Sequence, residues 1–192
     1  IWCGATPETL VKVRDKKLQT MSLAATLPYV ENKKPKWGKK EIEEQQMVSE
    51  YIGDKLAHTM ERLEIDEAES VRAGNLWHLR SEVRGSMMPN LKVKEVIRAL
   101  HPTPAVCGIP TGEATQFIMA NENYKRTFYT GFLGELNLNG QGELSLFVNL
   151  RCMQLENGKA SIFVGGGITE ASNPESEWEE TQNKSKTMLG IL

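Results

Sequence analysis

Residues Ser172–Lys186, S-N-P-E-S-E-W-E-E-T-Q-N-K-S-K, open with the chemistry of a helix start. Asn173 is a good cap, and acids fill the first turn. Pro174 suits the first helical position because its missing N–H would be orphaned there anyway. At about 100° per residue, Glu177, Glu180 and Lys184 fall on one stripe roughly 60° wide. Two carboxylates three apart, with a lysine one turn on, have the chemistry to hold a divalent cation and an anion drawn to it. Taken alone, such a stripe serves equally as a solvated acidic helix start, since acids favour that end of the dipole. A second stretch, K-K-E-I-E-E at 39–44, repeats the i, i+3 spacing with Glu41 and Glu44, again at a helix start. Hard cations such as Mg²⁺ take oxygen ligands and leave positions for water and substrate oxygens, so two such helices would supply a shared site.

Between these two acidic helices the pattern is mixed. Ile1–Thr26 reads as short strands (I-W-C-G, Thr9–Arg14, Leu18–Thr26), with D-K-K as a hairpin connection. Pro28 to Gly38 is a loop. Lys39–Leu63 is the longest helical pattern, its buried stripe formed by Val48, Ile52, Leu56, Met60 and Leu63. A polar connection, Asp66–Asn75, leads to a strand over Leu76–Gly85. Leu91–Leu100 is a short amphipathic helix. The prolines of H-P-T-P-A-V-C-G-I-P at 101–110 force an irregular, extended path. Gly112–Glu122 is helical, Phe128–Leu136 and Glu143–Leu155 are strands joined through the turn N-L-N-G-Q-G, and Ala160–Val164 is a last strand before G-G-G-I. Strands and helices interleave without regular βαβ spacing. The expected class is therefore α+β, with mainly antiparallel sheets and helices packed outside.

At 192 residues the chain is one domain, or a large piece of one. A net charge of −2 gives no reason to expect nucleic acid or an anionic membrane surface as partner. No apolar run approaches the roughly 20 residues of a membrane span. Cys3, Cys107 and Cys152 are odd in number and not in metal-ligand spacing, so they read as reduced thiols in the cytoplasm. The opening I-W-C-G-A-T-P resembles the end of a strand entering a turn, and the expected native start lies upstream.

Single residues stay ambiguous on pattern alone. Arg151 shares a strand face with Phe147 and Asn149, opposite an apolar face. It is an ordinary surface arginine unless that face lines a cleft, where its fork would clamp a carboxylate. His78 between Trp77 and Leu79 fits a hydrogen-bonded structural histidine, and Glu8 after Pro7 fits a turn. The glycines of G-G-G let backbone amides approach an anion, but they are not a dinucleotide fingerprint.

Together these stretches resemble the chorismate-utilising enzymes: the isochorismate, salicylate, anthranilate and aminodeoxychorismate synthases. F-V-G-G-G-I-T-E-A-S-N-P-E-S-E-W-E-E-T-Q-N-K (163–184) looks like that family's closing signature. A-T-P-E-T-L-V (5–11), L-A-A-T (23–26), L-W-H-L (76–79) and the strand carrying L-R-C (150–152) match in the same order. H-P-T-P-A-V-C-G-I-P resembles the isochorismate synthase form, of the menaquinone-pathway type. The resemblance spans the whole chain and implies the family fold with its upstream half absent, so that 1–192 is the C-terminal part of one catalytic domain.

The resemblance further implies Mg²⁺ on Glu44 and Glu180, with Glu41 and Glu177 nearby through water, and chorismate as the small-molecule substrate. Lys184 matches a contact to substrate carboxylate, and Arg151 and Tyr129 match groups holding the pyruvyl carboxylate. Ala25, Thr26, His78, Ala105, Val106, Leu150, Gly165 and Gly167 line the site, and Glu8 matches the general acid. The protein is expected to be a monomer or weak homodimer. Three departures stand out. Gln45 replaces the histidine usual after the metal-binding glutamate, and Ala25 replaces the glycine of L-A-G-T. The family's water-activating lysine, in a K-V-x-L-S-R segment, has no counterpart in these residues.

Overall fold

Two strands of twelve residues carry the architecture. The computed structural model describes residues 1–138 and 142–192, so the middle of the expected 137–142 turn lies outside the described residues. In chain order the elements are β1 (Trp2–Gly4), β2 (Thr9–Arg14), β3 (Lys17–Pro28), α1 (Lys39–Ala57), β4 (Met60–Ile65), β5 (Glu69–Ala73), β6 (Leu76–Met87) and α2 (Val93–Leu100). There follow α3 (Pro104–Cys107), α4 (Thr111–Asn121), β7 (Phe132–Leu136), β8 (Leu144–Val148), β9 (Cys152–Glu156), β10 (Lys159–Phe163) and α5 (Pro174–Leu189). The long strands β3 and β6 pair centrally in a seven-stranded sheet of order β4-β6-β3-β2-β8-β7, with β5 also on β6. A three-stranded sheet, β1-β9-β10, completes the fold, and every described pairing is antiparallel. The α+β class with mainly antiparallel sheets is what the structure has.

Local chemistry explains the joints. Asp15 and Lys16 both have positive φ (49° and 58°), the backbone of a two-residue hairpin that returns β2 directly into β3. The Asn173 side chain accepts a hydrogen bond from Ser176 N at 3.0 Å, and Pro174 is the first residue of α5. On α1, Val48, Ile52 and Leu56 form the apolar stripe. They pack into one core with Leu10, Val83, Val96, Leu100 and Val148 from the large sheet and α2.

Four expected boundaries are corrected. The first helix stops at Ala57, not Leu63, because Thr59 turns the chain by donating both N–H and Oγ1 to Leu56 O (2.9 and 2.8 Å). Met60 and Leu63 then serve β4, and Met60 is buried there. The polar connection 66–75 contains β5, an edge strand with charged residues that hide its period; Glu69 pairs with Arg80 of β6 at 2.5 Å. The strand expected over Glu143–Leu155 is two strands in different sheets. The break is at 149–151, where Arg151 takes a positive φ of 45°. Pro104 begins α3 rather than extending the chain, since proline fits the first helical position.

Candidate active site

Several places where the backbone departs from regular geometry face one cleft of about 770 Å³, part of it open solvent. β3 bulges between Ala24 and Leu27, with Ala25 at φ 56°. The chain crosses between sheets at Leu150–Arg151, α3 contributes Ala105 and Val106, and Val164–Gly167 leaves β10 along the rim. The cleft brings together Glu8, Ala25, Thr26, Glu44, His78, Ala105, Val106, Tyr129, Leu150, Arg151, Gly165, Gly167 and Lys184. Glu41, Glu177 and Glu180 are not on its wall; they face a neighbouring cavity between the starts of α1 and α5.

Glu8 is 3% exposed, just before β2. Burial pushes its carboxyl from 4.5 up to about 7, against the opposing pull of the Thr103 hydroxyl at 3.5 Å and the charges of Arg151 and Lys184. A carboxyl so placed still carries its proton near neutral pH and has an ammonium and a guanidinium within electrostatic reach. That is the protonation state of a general acid.

Arg151 is 7% exposed. Its Nη2 lies 2.6 Å from His78 Nε2, and His78 Nδ1 lies 2.8 Å from Ala25 O. A carbonyl only accepts, so Nδ1 carries the proton and Nε2 accepts from the arginine. Burial, reinforced by the Arg151 charge, holds the imidazole down at about 4, so it is neutral. Burial likewise lowers Arg151 to about 10, opposed by Glu180 and Glu8, and it stays charged. The bulge carbonyl thus sets a tautomer that aims a cation. Tyr129 is buried against the Phe163 ring (5.4 Å between centroids), and burial raises its hydroxyl above the ordinary tyrosine range, so it is a neutral hydrogen-bonding group.

The carboxylates sit around the glycine loop. A Cβ on Gly167 would come 2.6 Å from Glu44 Oε1, and one on Gly166 would lie 3.5 Å from both Glu177 Oε2 and Glu180 Oε1. Lys184 Nζ bridges Glu180 Oε1 (2.6 Å) and Gly165 O (3.0 Å), while Lys40 pairs with Glu177 Oε1. Burial and the Glu180 charge raise the Glu44 carboxyl, with Lys184 and Lys40 opposing. Glu177 Oε2 is buried and has no hydrogen-bond partner among the described residues. An all-oxygen donor set with one orphaned carboxylate oxygen fits a hard divalent cation. Among the described residues, however, no three such side chains are already gathered as a metal cluster. The two lysines hold part of that charge instead, and Glu41 spends one oxygen on Gly38 N at the start of α1 (2.9 Å).

Four further side chains belong to the site's framework. Lys40 stands four residues before Glu44, an i, i+4 spacing open to sequence reading. Arg126, on the cleft wall, donates to Val106 O at 2.9 Å and pairs with Glu122, also i, i+4. Thr103 reaches Glu8 across 95 residues, which no local pattern signals. Gln45 is buried in a hydrogen-bond cluster with β3 and β6. Cys3, Cys107 and Cys152 carry free thiols, and no helix among the described residues is long and apolar enough to cross a membrane.

Comparison with known proteins places this geometry in context. The family model for chorismate binding enzymes matches residues 1–192. The chain is 33% identical to the isochorismate synthase DhbC of Bacillus subtilis over 98% of its own length and 50% of that protein. It is 28% identical to EntC of Escherichia coli, also an isochorismate synthase, over 98% and 50%. Among solved structures, DhbC of Bacillus anthracis superposes with a TM-score of 0.91 at 32% identity, covering 98% of this chain and 53% of that one. MenF of Escherichia coli, a menaquinone-specific isochorismate synthase, superposes at 0.84 with 28% identity, covering 97% and 45%. The chain thus spans about half the length of the curated relatives it matches.

Proposed function

Because the chain belongs to the family of chorismate binding enzymes, we propose that it carries most of the active site of a Mg²⁺-dependent isochorismate synthase. The observation that carries this reading is one cleft holding a buried carboxyl that titrates near 7 beside a buried guanidinium and an ammonium. Such a cleft suits a dicarboxylate that must lose a hydroxyl group. Arg151 and Tyr129 hold the pyruvyl carboxylate, and Lys184 contacts the ring carboxylate. Ala25, Thr26, His78, Ala105, Val106, Leu150, Gly165 and Gly167 shape the remaining wall. Water adds at C2, the ring double bonds shift, and the C4 hydroxyl leaves as water with the proton from Glu8. Glu8 then regains a proton as the base loses one, so the overall change is an isomerisation.

Glu44 and Glu180 are the residues that would hold Mg²⁺ directly, with Glu41 and Glu177 behind them. The ion, when bound, neutralises and positions the ring carboxylate. The base that activates water is not among these residues, so the complete reaction draws it from polypeptide beyond them. In this reading the protein works in the cytoplasm on a small molecule, as a monomer or weak homodimer, and the menaquinone pathway is the route it serves.

The test is chorismate with Mg²⁺ and the protein, with products separated by chromatography. Isochorismate as sole product supports the proposal. Salicylate with pyruvate moves the assignment to a salicylate synthase. Binding without turnover favours a non-catalytic chorismate-binding protein, the reading that the absent lysine supports.

A further inference from the structure

We propose that Gln45 is a positioning residue that aims Arg151 into the cleft, acting through the β3 bulge and His78. Gln45 is 3% exposed, on the α1 face turned toward the sheet, one residue after Glu44. Its Oε1 accepts from Ala24 N at 3.1 Å, and its Nε2 donates to Ser22 Oγ at 2.8 Å and Ser81 Oγ at 3.2 Å. Longer contacts reach Ser22 O (3.3 Å) and Ser49 Oγ (3.5 Å), and the two serine hydroxyls Ser22 and Ser49 bond each other at 2.7 Å. One amide therefore ties α1 to β3 and β6 at the residue where β3 leaves its regular register.

The connection continues residue by residue. Ala24 is the last β3 residue in register with β6 before the shift, and a buried N–H with no acceptor is costly. Gln45 Oε1 meets that need at Ala24. The next residue, Ala25, is held at a positive φ of 56°, a conformation that an L residue adopts only when its surroundings impose it. In that conformation Ala25 O reaches His78 Nδ1 at 2.8 Å, and His78 Nε2 meets Arg151 Nη2 at 2.6 Å. Glu44 lines the same cleft from the same helix turn. Gln45 thus sets the spacing between a carboxylate wall and a guanidinium wall. A residue that merely filled space would need neither an acceptor for Ala24 N–H nor two donors.

The inference deepens the proposed function, and its test separates the two. Gln45→Met keeps side-chain length and volume but removes every hydrogen bond; Gln45→Asn keeps the amide but is one methylene too short to reach Ala24. Gln45→Glu keeps the side-chain length and the acceptor that Ala24 N–H needs. Nitrogen-15 NMR of the imidazole of His78, one of three histidines, reads the tautomer and the protection of Nδ1–H. In Gln45→Met and Gln45→Asn, the Nδ1–H signal loses its protection, and chorismate binds roughly tenfold more weakly, the scale of one hydrogen bond to a charged group. Gln45→Glu retains both. A drop in melting temperature with an unchanged His78 signal and unchanged affinity overturns the proposal, leaving Gln45 a structural group. Should Gln45→Met not fold, Gln45→Asn decides by the same two readouts. If the unmodified protein does not bind chorismate, the proposed function fails, and the His78 signal alone decides this inference.

Discussion

A carboxyl group 3% exposed holds its proton more tightly than one in water, and Glu8 does so even against the pull of the Thr103 hydroxyl 3.5 Å away. The raised value has a stability consequence with a definite sign. Between pH 4.5 and about 7 the folded protein keeps a proton on Glu8 that the unfolded chain releases. Stability is therefore full below 4.5 and falls as pH rises through 7, by at most on the order of 3 kcal/mol. Glu8→Gln removes the titration. Its melting temperature should match the parent at pH 4 and exceed it at pH 8, as calorimetry across that range would read. Chorismate affinity should stay within a few-fold of the parent while turnover is lost. Collapse of binding instead would make Glu8 a ligand rather than an acid. Tyr129 entered the reading only through the resemblance, whereas helical spacing had already put Lys184 on the acidic stripe. Periodicity put Arg151 on an open strand face, whereas a positive φ at the sheet crossing turns it inward, and that conformation is set by tertiary structure.

Helix α1 joins the readable and unreadable parts of the fold. Its stripe of Val48, Ile52 and Leu56 was plain in the sequence, because a half-buried helix needs apolar residues three and four apart. Its end was not. Met60 and Leu63 continue the same spacing by coincidence, and a threonine turn hands them to a strand. β5 was hidden for a related reason: an exposed edge strand has no buried face to mark its period. The break between β8 and β9 was hidden because Leu150 and Cys152 continue the alternation across it. Two acidic pairs at helix starts could be seen locally, but the meeting of Glu44 with Glu177 and Glu180 around the glycine loop depends on topology. Since α1 carries both Glu44 and Gln45, its anchor matters to the site. Leu56 is fully buried in the last turn, so Leu56→Ala should cost about 2–5 kcal/mol in urea unfolding with an unchanged m-value. A loss below about 1 kcal/mol would mean that α1 is not held by this core.

At the scale of the whole molecule, α1 packs on the seven-stranded sheet, while α5 follows the last strand of the three-stranded one. Their facing ends present Glu44, Glu177 and Glu180, with Lys40 and Lys184 as internal counter-charges and Arg151 within electrostatic reach of Glu180. Burial first, and then the like charge of Glu180, raise the Glu44 carboxyl, so gathering these carboxylates in a partly buried place opposes folding. A cation bound between the two helices relieves that repulsion only in the folded protein. Mg²⁺ should therefore raise the melting temperature, with stabilisation of about 2.7 kcal/mol at a concentration a hundred times the dissociation constant. Chelation by EDTA should reverse it. Glu180→Gln removes the carboxylate that both raises the Glu44 carboxyl and pairs with Lys184, so two effects are expected together. The metal-free protein loses less to repulsion, and the Mg²⁺ increment disappears along with Mg²⁺-dependent chorismate binding. Glu8→Gln, which leaves all three of these carboxylates in place, should keep the full increment. Calorimetric titration of Mg²⁺ into both variants checks this directly: an unchanged affinity in Glu180→Gln would rule out a cation shared between the two helices.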